Sequence, residues 1–111
     1  MIANLLAFGL AAVLEIAGCF AFWLWLRRGG SPLWAVAGVV SLIGFALALT
    51  RIETAFAGRA YAAYGGIYIA TSVAWLWTVE GQHPTFWDVT GAGVAISGAL
   101  IILGFGLQAG K

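Results

Sequence analysis

The sequence predicts an all-α integral membrane protein of four transmembrane helices. Three observations carry that expectation. Charged residues make up 8% of the chain and apolar ones 63%, against about 25% charged in an ordinary soluble domain. Four long apolar runs are separated by short polar connections. A single carboxyl, Glu15, sits in the middle of the first run with no other charge near it.

The first run spans residues 2–26. At about 1.5 Å per residue its roughly 25 residues reach about 37 Å, enough to cross a hydrocarbon core of about 30 Å with some tilt. Arg27, Arg28 and the pair Gly29-Gly30 then read as a helix stop. The second run, 32–50, opens with Ser31 before Pro32, an N-cap followed by proline at the first helical position. The third is expected over 59–79. The fourth is expected over 86–107, and Thr85 with Asp88 three residues on resembles a capping box. Connections this short make neighbouring helices antiparallel. They leave no room for a soluble domain, so residues 1–111 form one domain. The start of the chain lacks a basic stretch, and Glu15 would fall inside any signal core. The first segment is therefore expected to remain.

Glu15 lands near the bilayer centre. A carboxyl there costs about 3 kcal/mol on insertion scales. A chain that keeps one has a use for it: binding a proton, a cation, or each in turn. The other acids, Glu53, Glu80 and Asp88, fall at helix ends. Four helices hardly enclose a polar path alone, so a homodimer presenting two copies of Glu15 to one cavity is expected. Arg51, Arg59 and Lys111 balance Arg27 and Arg28 across the membrane, three against two. The charge rule then gives no orientation. Insertion in both directions with antiparallel pairing is one outcome, and orientation set by helix hydrophobicity or lipid is the other.

Tyr61, Tyr64, Tyr68 and Trp75 recur at helical spacing on one face of the third helix. Tyr and Trp also favour headgroup depth, and that anchoring role is the main expectation for Trp75 and Trp77. Tyr64 and Tyr68 lie deeper, where a phenol needs a partner. Glu15 is the candidate, and aromatic faces suit organic cations. Gly65-Gly66 permits close approach or a bend. Arg59 opposes the helix dipole and would serve as a phosphate anchor or a partner for Glu53. Gly91 and Gly98, seven apart on the fourth helix, share a face suited to close packing. They are candidates for a dimer contact or for packing within one protomer. Cys19 lies one turn from Glu15. It is a small packing residue or, with Glu15, half of a soft-metal site, which would want more ligands.

Near-zero net charge leaves no nucleic-acid footprint. There is no ligand cluster for a metal, no nucleophile–base pair and no phosphate loop, and His83 stands alone in a loop. No enzyme and no cofactor are expected beyond a coupling proton. Besides a transporter of organic cations, the residues admit an inorganic cation transporter, a channel, or a membrane subunit in which Glu15 pairs with a partner's basic residue.

Two stretches carry a resemblance. Glu15-Ile16-Ala17-Gly18-Cys19-Phe20 with Trp23-Leu24-Trp25-Leu26-Arg27, and Gly58-Arg59-Ala60-Tyr61-Ala62-Ala63-Tyr64-Gly65-Gly66-Ile67-Tyr68, resemble the YnfA family of small bacterial inner-membrane proteins. Trp87-Asp88 and Gly91-Ala92 also fit. The family often has proline where this chain has Phe22, which bears on whether the first helix kinks. The family is similar in turn to the small multidrug resistance (SMR) transporters of the drug/metabolite transporter superfamily. Those are four-helix antiparallel dimers that exchange protons for cationic or polyaromatic compounds. The resemblance implies a multi-pass protein of the bacterial inner membrane doing the same work. Glu15 would be the essential acid, Tyr61, Tyr64 and Tyr68 would line the site, and Gly91 and Gly98 would lie at the dimer contact.

Overall fold

The computed structural model describes residues 2–53 and 56–106. The expected end of the last helix, Leu107, and the charge of Lys111 lie outside the described residues. The fold is all-helical: α1 (Ile2–Leu26), α2 (Leu33–Leu49), α3 (Ala57–Thr78) and α4 (Phe86–Ile101), the last continued by a π-helical turn over Ile102–Gly106. No strand occurs among the described residues. Two segments are long and apolar enough to cross a membrane, Ala3–Leu26 and Phe86–Gly104, and α2 is a shorter apolar helix. α3 is long enough at 22 residues but is the least apolar of the four.

Local chemistry sets the helix ends. Ser31 Oγ accepts from the Leu33 N–H at 3.1 Å, and Pro32 already has helical angles. Thr85 Oγ1 accepts from the Asp88 N–H at 3.2 Å while Asp88 Oδ2 accepts from the Thr85 N–H at 2.9 Å, a reciprocal pair that closes the start of α4. α3 begins at Ala57, two residues before Arg59, so the arginine sits inside the first turn. Its guanidinium lies 5.6 Å over the Phe56 ring.

α1 and α3 end alike. Trp23-Leu24-Trp25 precedes Gly29, and Trp75-Leu76-Trp77 precedes Gly81 at the same spacing. Both glycines take positive φ, 69° and 72°, where a Cβ would be strained. The Trp23 carbonyl accepts from Arg27 and Arg28, and the Trp75 carbonyl from Val79 and Glu80. Gly30 closes on Leu24 at 2.9 Å, and Gln82 on Leu76 at 3.0 Å. This duplicated ending leaves Arg28 and Glu80 at matching positions, and they pair at 3.9 Å.

α1 packs along α2 and α3 along α4, and the two hairpins meet chiefly through α1 and α3. Small residues decide how closely. Gly18 and Gly38 face each other where α1 crosses α2. A Cβ at Gly18 would lie 3.0 Å from the Gly38 carbonyl, and one at Gly38 would lie 2.7 Å from the Phe22 ring. α1 runs unbroken through Phe22, which fills the crossing where the family often has proline. α3 is likewise continuous through Gly65-Gly66. A Cβ at Gly66 would strike the Ala95 carbonyl and the Ala99 methyl of α4, whereas one at Gly65 meets nothing within 4 Å. The core gathers at the N-terminal half of α1: Phe8, Ala11 and Ala12 against Ala60, Ala63 and Tyr64, closed by Ala48, Ile52 and Leu103. Asn4 Oδ1, buried, accepts from the Glu53 N–H at 3.0 Å and fastens the end of the second hairpin arm to α1.

The two adjacent glycines separate packing from propensity. Gly66→Ala is expected to lower stability by about 1–3 kcal/mol through overpacking, and Gly65→Ala to be neutral or slightly stabilising. Thermal unfolding of the detergent-solubilised variants, followed by circular dichroism, measures the difference.

Candidate functional site

Glu15 lies half-buried on the side of α1 that faces α3. The Tyr64 hydroxyl donates to its Oε1 at 2.6 Å. This bond crosses the seam between the two hairpins. Burial at 7% exposure holds Tyr64 in place. Its ring lies 6.2 Å from Phe8, 5.6 Å from Phe45 and 5.9 Å from Tyr68. The phenol therefore meets the carboxyl from a ring fixed by three others. Among the described residues no ion pair involves Glu15, so its polar partner here is a neutral hydroxyl.

One turn of α1 is held from the opposite side as well. Ser41 Oγ of α2 donates to the Leu14 carbonyl at 2.6 Å, and Gly44 lets α2 lie close to the Leu14 side chain. Glu15 is thus presented toward α3 from a clamped backbone.

Two cavities flank the Glu15–Tyr64 bond along the same seam. The larger, about 650 Å³, is bounded by Glu15, Phe45, Thr50, Tyr61 and Tyr64, with Ala46, Ala57 and Ala60 as small walls. It lies toward the connection between α2 and α3. The smaller, about 210 Å³, takes Cys19, Phe20 and Trp23 from α1, Tyr68 and Trp75 from α3, and Glu80. It lies toward the opposite end of the bundle.

The residues that the sequence places on one face are thus divided between two cavities. Glu15, Tyr61 and Tyr64 border the larger one, with Tyr61 at the rim and 57% exposed. Cys19, Tyr68 and Trp75 border the smaller. Cys19 and Glu15 therefore open onto different spaces, and no group of three His, Cys, Asp or Glu side chains comes together among the described residues. Trp75 is half-buried and packs edge-on to Phe20 at 5.5 Å, while Trp77 is exposed. Gly91 and Gly98 are exposed, with nothing within 4 Å of a Cβ at either. They take no part in packing within the protomer, a role that falls to Gly66 against Ala95 and Ala99.

A family model described as "Uncharacterised BCR, YnfA/UPF0060 family" matches residues 1–107. The chain belongs to the YnfA family. No solved structure matches it. For a YnfA-family chain the matched length covers both hairpins, so the Glu15–Tyr64 bond and both cavities lie within the region that defines membership.

Sequence reasoning missed part of this site. Phe45 of α2 and Thr50, its C-cap, reach the larger cavity, and nothing in an apolar run marks which of its residues face inward. Phe20 and Glu80 border the smaller one. The repeated Trp-Leu-Trp with its trailing glycine was the available signal, because it sets the ends of α1 and α3 in register and brings Glu80 beside Arg28.

Removing only the hydroxyl isolates the bond. Tyr64→Phe is expected to keep the ring contacts and lose about 0.5–2 kcal/mol, the range for interhelical hydrogen bonds in membranes. Tyr64→Ala also empties the ring site and is expected to lose about 3–5 kcal/mol. Unfolding in mixed micelles, with helicity as the signal, distinguishes the two.

Proposed function

We propose that this YnfA-family protein is a small membrane transporter that exchanges protons for organic cations at Glu15. The observation that carries the reading is the carboxyl of Glu15, bonded at 2.6 Å to Tyr64 and bordering a cavity of about 650 Å³. That volume falls in the range of about 300–1,000 Å³ that holds a drug-sized ligand. Its walls supply what an organic cation needs: a carboxylate, the aromatic faces of Phe45, Tyr61 and Tyr64, and apolar surface.

A proton on Glu15 and a cation beside it neutralise the same charge, so each displaces the other. If the carboxyl is open to one side of the membrane at a time, this competition couples cation exit to proton entry. Tyr64 orients the carboxyl by donating to one oxygen. The hydroxyl also satisfies Glu15 between turnovers, so the empty site does not hold an unpartnered carboxylate.

In this reading all four helices span the bacterial inner membrane, and the working unit is a homodimer. Its two copies bring two Glu15 carboxylates to one pathway. Gly91 and Gly98 belong to the open side of α4, where close approach of a second copy meets no side chain of its own protomer. Apolar side chains exposed along α4, among them Val89, Val94 and Leu100, suit lipid or a second protomer.

Reconstituted liposomes perfused with quaternary ammonium compounds, polyaromatic dyes and guanidinium compounds test the proposal through capacitive currents. Wild-type protein is expected to give cation-dependent currents that shift with a proton gradient. Glu15→Gln is expected to reduce them to background while the protein stays helical and keeps its oligomeric size. Proton-coupled currents of normal amplitude in Glu15→Gln would refute the assignment.

A further inference from the structure

The smaller cavity has the chemistry of a cation site but contains none of the groups assigned above to the exchange step. Phe20, Trp23, Tyr68 and Trp75 form aromatic walls, and the Glu80 carboxylate stands at one side. Phe20 and Trp75 brace each other edge to face at 5.5 Å. Aromatic faces beside a carboxylate recognise organic cations through the ring quadrupole and a direct charge.

A cation of the chain already touches two of these wall residues from the cavity's edge. The Arg28 guanidinium lies 3.9 Å from Glu80 Oε2 and 5.5 Å over the Phe20 ring. Its side chain is 54% exposed, so water competes for it. An exposed ion pair and an exposed cation–π contact are both weak, and a mobile cation can displace a tethered one held this way. The Trp75 Nε1 is buried and has no hydrogen-bond partner among the described residues. A buried N–H without an acceptor is costly; a guanidinium has no acceptor to offer it, so a water that enters with the cation would satisfy it.

We propose that this cavity is a second cation subsite, separate from the Glu15 cavity, and that Arg28, tethered at its edge, competes with the ligand for Glu80 and the Phe20 face. At about 210 Å³ it is smaller than the usual drug-sized pocket. It selects compact organic cations that resemble the arginine head group. Ligand binding moves the Arg28 guanidinium off Glu80 and Phe20 and seats the ligand in the cavity against both. Removing Arg28 frees the Glu80 carboxylate and the Phe20 face, and removing the Glu80 charge weakens the subsite. The subsite lies on the side of the Glu15–Tyr64 bond away from the larger cavity, so its occupancy does not require Glu15. It goes beyond the exchange reading and stands or falls separately from it.

Methylguanidinium chloride is the probe, titrated at constant ionic strength into the full-length protein in nanodiscs. Tryptophan fluorescence reports binding, because Trp23 and Trp75 border the cavity. Arg28→Ala and Arg28→Gln are both expected to bind about fivefold tighter than wild type, the gain from losing one weak ion pair and one weak cation–π contact. Arg28→Lys is expected to stay near wild type. Glu80→Gln is expected to bind at least several-fold more weakly. Glu15→Gln is expected to retain wild-type binding even where it abolishes transport. Circular dichroism checks that each variant is folded, and the two neutral replacements at Arg28 back each other. Unchanged or weaker binding in both of them would overturn the proposal. So would complete loss of methylguanidinium binding in Glu15→Gln, which leaves the exchange reading in place with one site rather than two. Intact binding in Glu15→Gln combined with intact coupled currents would overturn the exchange reading and keep the subsite.

Discussion

A carboxyl held between apolar helices has to find a partner, and in this protein it finds a phenol. The bond from Tyr64 to Glu15 spans α1 and α3, the two helices through which the hairpins meet. Both ends are over-determined. The Leu14 carbonyl beside Glu15 is held by Ser41, and the Tyr64 ring is packed among Phe8, Phe45 and Tyr68. For the proposed exchange, a neutral donor suits Glu15 better than a fixed counter-ion would. A permanent ion pair would satisfy the carboxylate too well for a proton or a mobile cation to compete. The hydroxyl orients the group without cancelling its charge.

The space around that bond follows from where the small residues sit. Ala46, Ala57 and Ala60 border the larger cavity, so the helices stay close in register while the volume beside Glu15 stays open. Where the helices must touch, glycine replaces alanine. Gly18 with Gly38 sets the α1–α2 crossing, and Gly66 sets the α3–α4 contact. In lipid there is little hydrophobic force between helices, and close van der Waals contact over small residues takes its place. The same residue type therefore sits in two settings here. Three glycines close the protomer, while Gly91 and Gly98 lie on a face that the protomer leaves open.

The α1–α3 seam is a line of aromatic groups interrupted by carboxylates, from Tyr61 at one end through Tyr64 and Tyr68 to Trp75 beside Glu80. Glu15 marks its middle and Glu80 its far end. The matched helix endings bring the far end together. Gly29 and Gly81 both turn through positive φ, and the residue before each, Arg28 or Glu80, is carried to the same level of the bundle.

The sequence by itself determined the helical class, the stops at Gly29-Gly30, the capping box at Thr85 and Asp88, and the isolation of Glu15. These depend on composition, on a period of 3.6 residues and on contacts within a few positions of the chain, all of which are local. It also offered Tyr64 and Tyr68 as candidate partners of Glu15, because a buried phenol needs a polar partner and few were available; the structure gives the bond to Tyr64. Only the tertiary structure decided that the aromatic face of α3 serves two cavities, that Cys19 opens away from Glu15, and that Gly66 rather than Gly65 carries the helix contact. Neighbouring glycines are indistinguishable in a pattern of apolar residues. Which one meets a partner depends on the rotation of α3 against α4, and that rotation is set by packing between residues about thirty positions apart. The pairing of Arg28 with Glu80 has the same origin: two helix ends, each locally specified, become neighbours only when the hairpins dock.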